Sequence, residues 1–206
     1  MIPSSPDPWN SLRSLTAARI ALGRAGSSLP TAAHLEFQIA HAQARDAVHA
    51  AFDPGRMLEK LRALRLGTTA VRSAVSDRRE FLLRPDLGRV LDGPSALELD
   101  RARTEGGVDA VFVLGDGLSA LAIERHALPL LERLTGSLVA DGWQLAPIAL
   151  AEQARVALGD EIGARLGARM VVVLIGERPG LSAPDSLGVY LSWAPRVGLS
   201  DAERNC

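Results

Sequence analysis

Val108-Asp109-Ala110-Val111-Phe112-Val113-Leu114, running into Gly115-Asp116-Gly117, is the stretch on which the fold turns. It is a short, nearly continuous apolar run closed by glycines, the pattern of a buried strand. Met170-Val171-Val172-Val173-Leu174-Ile175 repeats it. Between the two, residues 119–138 read as helix, with Pro129 marking a kink or restart. Residues 143–150 read as strand, and Pro147 argues for an edge position or a bulge. Residues 155–166 read as a helix closed by Gly167, and residues 187–193 as a last strand. Strand and helix alternating through short connections imply right-handed crossovers and a largely parallel sheet. Wholly apolar strands fit a sheet covered on both faces.

Upstream, residues 68–75 are β-branched enough for a strand. Asp77, with Glu80 three residues on, resembles a capping box that opens a helix toward Leu83. Residues 94–103 read as another helix. Before Gly67 the chain reads as helical: a short helix from Leu12, Leu15, Ile20 and Leu22, a longer one from about Thr31 as N-cap to Ala51, and one over residues 57–66. Residues 1–10 hold three prolines and read as a disordered leader. The architecture expected is an α/β layer structure over residues 68–206, preceded by a helical N-terminal region over residues 11–67.

Composition excludes several classes. The 206 residues are 47% hydrophobic and 23% charged, which suits one globular domain with or without an appendage. A net charge of −1 leaves no strong electrostatic footprint for nucleic acid. No apolar run is long enough for a membrane span. The N-terminus lacks the basic and apolar regions of a secretory signal, so a soluble intracellular protein is expected. The one cysteine, Cys206, allows no intramolecular disulfide and no cysteine-rich metal site.

In a parallel sheet, ligands bind beyond the carboxyl ends of the strands. Three segments fall there: Gly115-Asp116-Gly117-Leu118-Ser119, Glu152-Gln153-Ala154-Arg155-Val156 and Gly176-Glu177-Arg178-Pro179-Gly180. Glycines let backbone amides approach a ligand, and neighbouring carboxylates and arginines can orient it. The first segment suits an ordinary strand–helix turn with a capping Asp or Ser just as well. The third is harder to dismiss, because it sets two opposite charges and a rigid proline against the most apolar strand. Nucleotide-binding GxGxxG and P-loop patterns, the GxSxG elbow and the HExxH and CxxC metal motifs are all absent. His34, His41 and His49 are two helical turns apart, too far to share one metal, and read as interface or core imidazoles. Asp160 and Glu161 are adjacent and so diverge on a helix. The residues by themselves yield an α/β protein with a ligand crevice and no catalytic constellation.

Thr16-Ala17-Ala18-Arg19-Ile20-Ala21-Leu22-Gly23-Arg24-Ala25-Gly26 resembles the opening motif of the small (light) subunit of ethanolamine ammonia-lyase. Phe37 to Val48, Arg84-Pro85-Asp86-Leu87-Gly88-Arg89, Asp116 to Ser119, Arg155 to Gly163, Val173 to Leu181 and Asp201 to Cys206 are similar to later segments of that family, in its order and spacing. The resemblance spans the chain from about residue 11 to its end. It implies a Rossmann-like, mostly parallel sheet. It also implies an enzyme that splits ethanolamine into acetaldehyde and ammonia using adenosylcobalamin, whose cobalt–carbon bond breaks homolytically. In that family a (β/α)₈ large subunit holds the substrate, the small subunit closes on the cobalamin at their boundary, and six large–small pairs assemble.

By the same resemblance no residue of this chain is catalytic, none binds a metal, and the cobalamin-contacting residues are Val156, Glu177 and Cys206. Val156 would pack on the corrin, Glu177 would accept from a fringe amide, and Cys206 would act through its backbone or by packing. Asp46 and His49 do not form the Asp-x-His-x-x-Gly motif of other cobalamin proteins, as expected of a family that keeps the cofactor's own base on cobalt. The family's chains run on past the Asn-Cys segment, so a C-terminal tail is missing. The partners expected are the large subunit, with no nucleic acid and no membrane. The expected location is the cytoplasm or a bacterial microcompartment within it. A stand-alone α/β enzyme and a non-catalytic structural adaptor are the alternatives.

Overall fold

The computed structural model describes residues 7–63 and 67–206. The first part of the expected leader and the end of the expected 57–66 helix lie outside the described residues. A 3₁₀ turn, Asn10–Leu15, precedes α1 (Thr31–His49) and α2 (Pro54–Ala63). Then come β1 (Thr68–Arg72), α3 (Arg78–Leu83), α4 (Gly93–Ala102), β2 (Val108–Gly115), α5 (Ala120–Ala122), α6 (Leu128–Ala140), β3 (Ile148–Glu152), α7 (Leu158–Leu166), β4 (Ala168–Gly176), β5 (Leu187–Trp193) and β6 (Arg204–Asn205).

The strands form one sheet in the order β1-β3-β2-β4-β5-β6. β1, β3, β2 and β4 are mutually parallel; β5 and β6 add antiparallel at the edge. The expected α/β class, with a mostly parallel sheet flanked by helices, is what the chain forms. Chain order explains the layering. β1 to β2 steps across the sheet one way, β2 to β3 steps back, and β3 to β4 steps forward again. Right-handed crossovers then require α4 and α7 on one face and α6 on the other. Leu99 of α4 and Leu158, Ile162 and Leu166 of α7 indeed pack on Val71, Val111, Val113, Val171 and Val173. Met57 and Leu61 of α2, with Ile123 and Leu131, pack on Phe112, Leu114, Leu150, Val172 and Leu174. Alternate residues of β4 therefore face opposite cores, which is why it reads as unbroken apolar sequence. Each such fully buried Leu or Ile contributes about 1.5–3 kcal/mol.

Local chemistry accounts for most boundaries. Asp77 caps α3 by accepting from Glu80 N at 2.8 Å. Glu80, however, closes on Ser76 N rather than Asp77 N, so the box is displaced by one residue. Gly167 ends α7 in the left-handed conformation, with φ 71°. Pro129 cannot donate to the carbonyl one turn back, and the helix widens into a π turn, Ile123–Ala127, just before it.

Four expectations need correction. Leu12–Leu22 is not a helix: the 3₁₀ turn buries nothing and the chain then runs extended, because the spacing of those four apolar residues lacks the 3.6 period. Arg19 pins that extended segment to the far end of the sequence, donating to Leu181 O at 3.2 Å. Thr31 is the first helical residue of α1 rather than its cap; Pro30 holds the cap position. Pro147 does not mark an edge strand, since β3 is interior; it marks the bulge alternative, falling where the register with β2 slips by one residue between the Ala110–Leu145 and Val113–Ala149 pairs. Of the two readings of His34, His41 and His49, interface or core, the core one fails: all three are exposed, with His41 stacked on Phe37.

Candidate functional site

β2 and β3 are neighbours whose following segments leave toward opposite faces, which makes the gap beyond their carboxyl ends the topological switch point. Asp116 fills it. Its carboxylate is nearly inaccessible, with Oδ1 accepting from Ala154 N at 3.0 Å and Oδ2 from Arg78 Nη1 at 3.3 Å. Burial pushes its pKa up to about 6, against the lowering pull of the Ala154 amide and Arg78. Arg78 also donates to Gly117 O at 2.8 Å and, through Nε and Nη2, to Val48 O at the end of α1. The cluster thus staples the carboxyl end of the sheet to α1. Gly117 must be glycine: φ is +53°, and a Cβ there would lie 2.3 Å from Gly176 O. A pocket of about 240 Å³ opens beside this cluster, between Asp116, Gln153 and residues 49–52.

One loop away, a pocket of about 410 Å³ is lined by Arg89, Arg155, Val156, Ala157, Tyr190, Asp201, Arg204 and Cys206. Its floor is the turn into α7. Arg155 N donates to Gly88 O at 2.8 Å, its Nη2 to Phe81 O at 3.0 Å, and its guanidinium stands 4.1 Å over the Phe81 ring. A Cβ on Gly88 would meet Arg155 Cγ at 2.9 Å, so the Gly88-Arg89 turn needs its glycine to seat Arg155. Burial lowers the Arg155 pKa, and the like charges of Arg78, Arg89 and Arg178 lower it further, with Asp116 offsetting part.

The opposite wall comes from β5. Tyr190 donates its phenol to Glu177 Oε1 at 2.6 Å, and Glu177 Oε2 accepts from no described residue. Gly188 makes room for the carboxylate, since a Cβ there would lie 2.1 Å from Glu177 Oε1. The Glu177 bond raises the Tyr190 pKa to about 12, with burial adding to it. Arg204 closes the third side. Its side chain is 3% exposed and forms an ion pair with Asp160, equally buried, and with Asp201. This anchors β6 and the segment that carries Cys206. The Ser200–Glu203 capping-box spacing is realised in full in the 3₁₀ turn Asp201–Glu203.

Of the three residues singled out by resemblance, Val156 and Cys206 line this pocket, and Glu177 is hydrogen-bonded to Tyr190, which lines it. They come from three separated segments. The sequence reading missed Arg89, Tyr190 and Arg204. The signal for Tyr190 was available: it lies two residues from Gly188 on one face of a strand next to Glu177. Among the described residues no group of His, Cys, Asp and Glu side chains is arranged to hold a metal ion. No described helix is long and apolar enough to cross a membrane. A third pocket, about 470 Å³, lies at the amino-terminal edge of the sheet. Its arginine, Arg169, is already committed to Asp109 at 3.0 Å and to the Trp193 ring.

Fold and site together define an α/β sheet protein with a three-sided, arginine-lined cleft. The family model for the ethanolamine ammonia-lyase light chain (EutC) matches residues 6–206. An ethanolamine ammonia-lyase small subunit from Azotobacter vinelandii is 61% identical over 206 residues, covering 99% of this chain and 76% of its own length. The protein of that name from Ralstonia nicotianae is 61% identical over 202 residues, covering 97% and 75% respectively. One from Pseudomonas putida W619 is 58% identical over 207 residues, covering 100% and 76%. The chain belongs to the ethanolamine ammonia-lyase light chain family, the small subunits of a lyase.

Proposed function

We propose that this chain lends one wall to an adenosylcobalamin site shared with a large subunit, in an enzyme that converts ethanolamine to acetaldehyde and ammonia. The observation that carries the reading is the cleft itself: Val156, Cys206 and Tyr190, which is hydrogen-bonded to Glu177, converge on one concavity from distant parts of the sequence. The residues fit a corrinoid. Val156 and Ala157 give an apolar surface for the disc, and Glu177 Oε2 is left to accept from a fringe amide. Arg155 Nε and Arg204 Nε are buried without a partner among the described residues, as donors awaiting a ligand would be. A cleft of about 410 Å³ takes only an edge of so large a molecule, which suits a site completed by a second subunit.

When bound, adenosylcobalamin supplies a homolysable cobalt–carbon bond and hence the radical chemistry. This chain's residues bind and orient; the reacting groups belong to the large subunit. On this reading residues 11–67 are an N-terminal helical region and residues 68–206 the cobalamin-binding domain, six large–small pairs assemble, and the enzyme serves ethanolamine catabolism in the cytoplasm or a microcompartment. Leu35 and Ile39 of α1 are 51% and 60% exposed, as expected of a surface that a partner covers. The test is a visible-absorbance titration of the co-expressed two-subunit complex with cyanocobalamin. Saturable binding is expected, with Glu177→Ala raising the Kd while assembly survives. Unchanged affinity in that variant contradicts the role of Glu177, and turnover by this chain alone contradicts the reading as a whole.

A further inference from the structure

The cleft carries a charge excess that an apolar disc fringed with amides does not explain. Three arginines line it. Arg204 is neutralised by Asp160 and Asp201. Arg89 and Arg155 form no ion pair within 4 Å among the described residues, and Arg178 stands close enough to add to their mutual repulsion. Gathering guanidinium groups without carboxylates costs free energy unless an anion arrives. The backbone points the same way. Val156 and Ala157, just before α7, donate to no backbone acceptor among the described residues, so free N–H groups and the positive helix end lie on the same wall. Arg155 is held over Phe81 by Nη2 on Phe81 O, and its Nη1 donates to no described residue.

We infer that Arg89 and Arg155, with the amides of Val156 and Ala157, seat a phosphate ester, namely the phosphodiester of the corrinoid's nucleotide tail. The inference rests on the corrinoid reading above and assigns which part of that ligand faces this chain. The phosphodiester is the anionic group of an otherwise amide-fringed molecule, so it is the group these arginines can recognise. Arg89 is the position to test, because it is exposed and makes no hydrogen bond that the fold needs.

The experiment measures Kd by absorbance and calorimetry on the two-subunit complex with three probes: cyanocobalamin, cobinamide phosphate and cobinamide, the last lacking the phosphate. In Arg89→Gln the first two should weaken about tenfold, the loss of one charge-assisted contact, while cobinamide is unchanged. Arg89→Lys, which keeps the charge, should recover part of that loss. Equal weakening of all three probes, or of none, overturns the assignment while the corrinoid reading stands. A wild-type complex that binds none of them overturns both.

Discussion

The Tyr190–Glu177 pair offers a test that needs neither cofactor nor partner, because Tyr190 is the only tyrosine in the chain. Its phenolate absorbance in the near ultraviolet therefore reports one residue. The Glu177 carboxylate accepts the phenolic proton at 2.6 Å and would repel a phenolate, so the folded chain should titrate at about 12 rather than 10. Two pKa units correspond to ~2.7 kcal/mol. Tyr190 is only partly buried, so solvent screening reduces the stabilisation to about 1 kcal/mol. That stabilisation is fully present below pH 10 and is lost as the pH rises through the folded value. Glu177→Gln should bring the titration down toward 10. Gly188→Ala should do the same with every charge retained, because its methyl would occupy the place of Glu177 Oε1 and force the carboxylate away. Rapid pH jumps keep the chain folded during the reading. A wild-type phenol that titrates near 10, or a Gly188→Ala chain that titrates like wild type, refutes the geometry of this wall.

Asp116 carries the opposite kind of pH signature from an ordinary ion-paired carboxylate. Its folded pKa is raised to about 6 from 3.8, so its contribution to stability is full below 3.8 and is lost as the pH rises through 6. The stability of wild type minus that of Asp116→Asn should therefore grow by up to ~3 kcal/mol between pH 7 and pH 4, measured by urea unfolding; a flat difference contradicts a burial that outweighs the pull of Arg78 and the Ala154 amide. Arg204→Met leaves the buried Asp160 carboxylate without its cation and should cost about 3–5 kcal/mol, roughly 10 °C in Tm. Adding Asp160→Asn should recover much of that loss, and additive losses would show that the two side chains do not depend on each other.

The sheet was legible because β2 and β4 are apolar on both faces and glycine closes each of them. Topology beyond the parallel core was not. β6 is two residues long, and no period can be read from so few. Pro147 left two readings open, edge or bulge, because both spare the ladder the missing N–H; only the pairing with β2 shows that it sits at a one-residue register slip. The apolar residues of the N-terminal segment misled because spacing near 3 without a sustained repeat supports only a 3₁₀ turn. At the site, the segments at the strand ends were visible as candidates, but their charges were not. Asp116 was read as one cap among many, whereas its burial and its bond to Ala154 appear only once β3 lies beside β2. Arg89 sat within a motif quoted only for its resemblance; its place opposite Tyr190 depends on Gly88 packing against Arg155, which no spacing announces.

The central claim is that the cleft between the start of α7, Tyr190 and the Cys206 segment is one wall of a corrinoid site. An experimental structure of the two-subunit complex with cyanocobalamin tests it most directly. The account predicts the corrin against Val156 and Ala157, within contact of Cys206 and Glu177, and its phosphate at Arg89 and Arg155. A corrinoid seated instead at the Arg78–Asp116 pocket, or one that makes no contact with this chain, contradicts it.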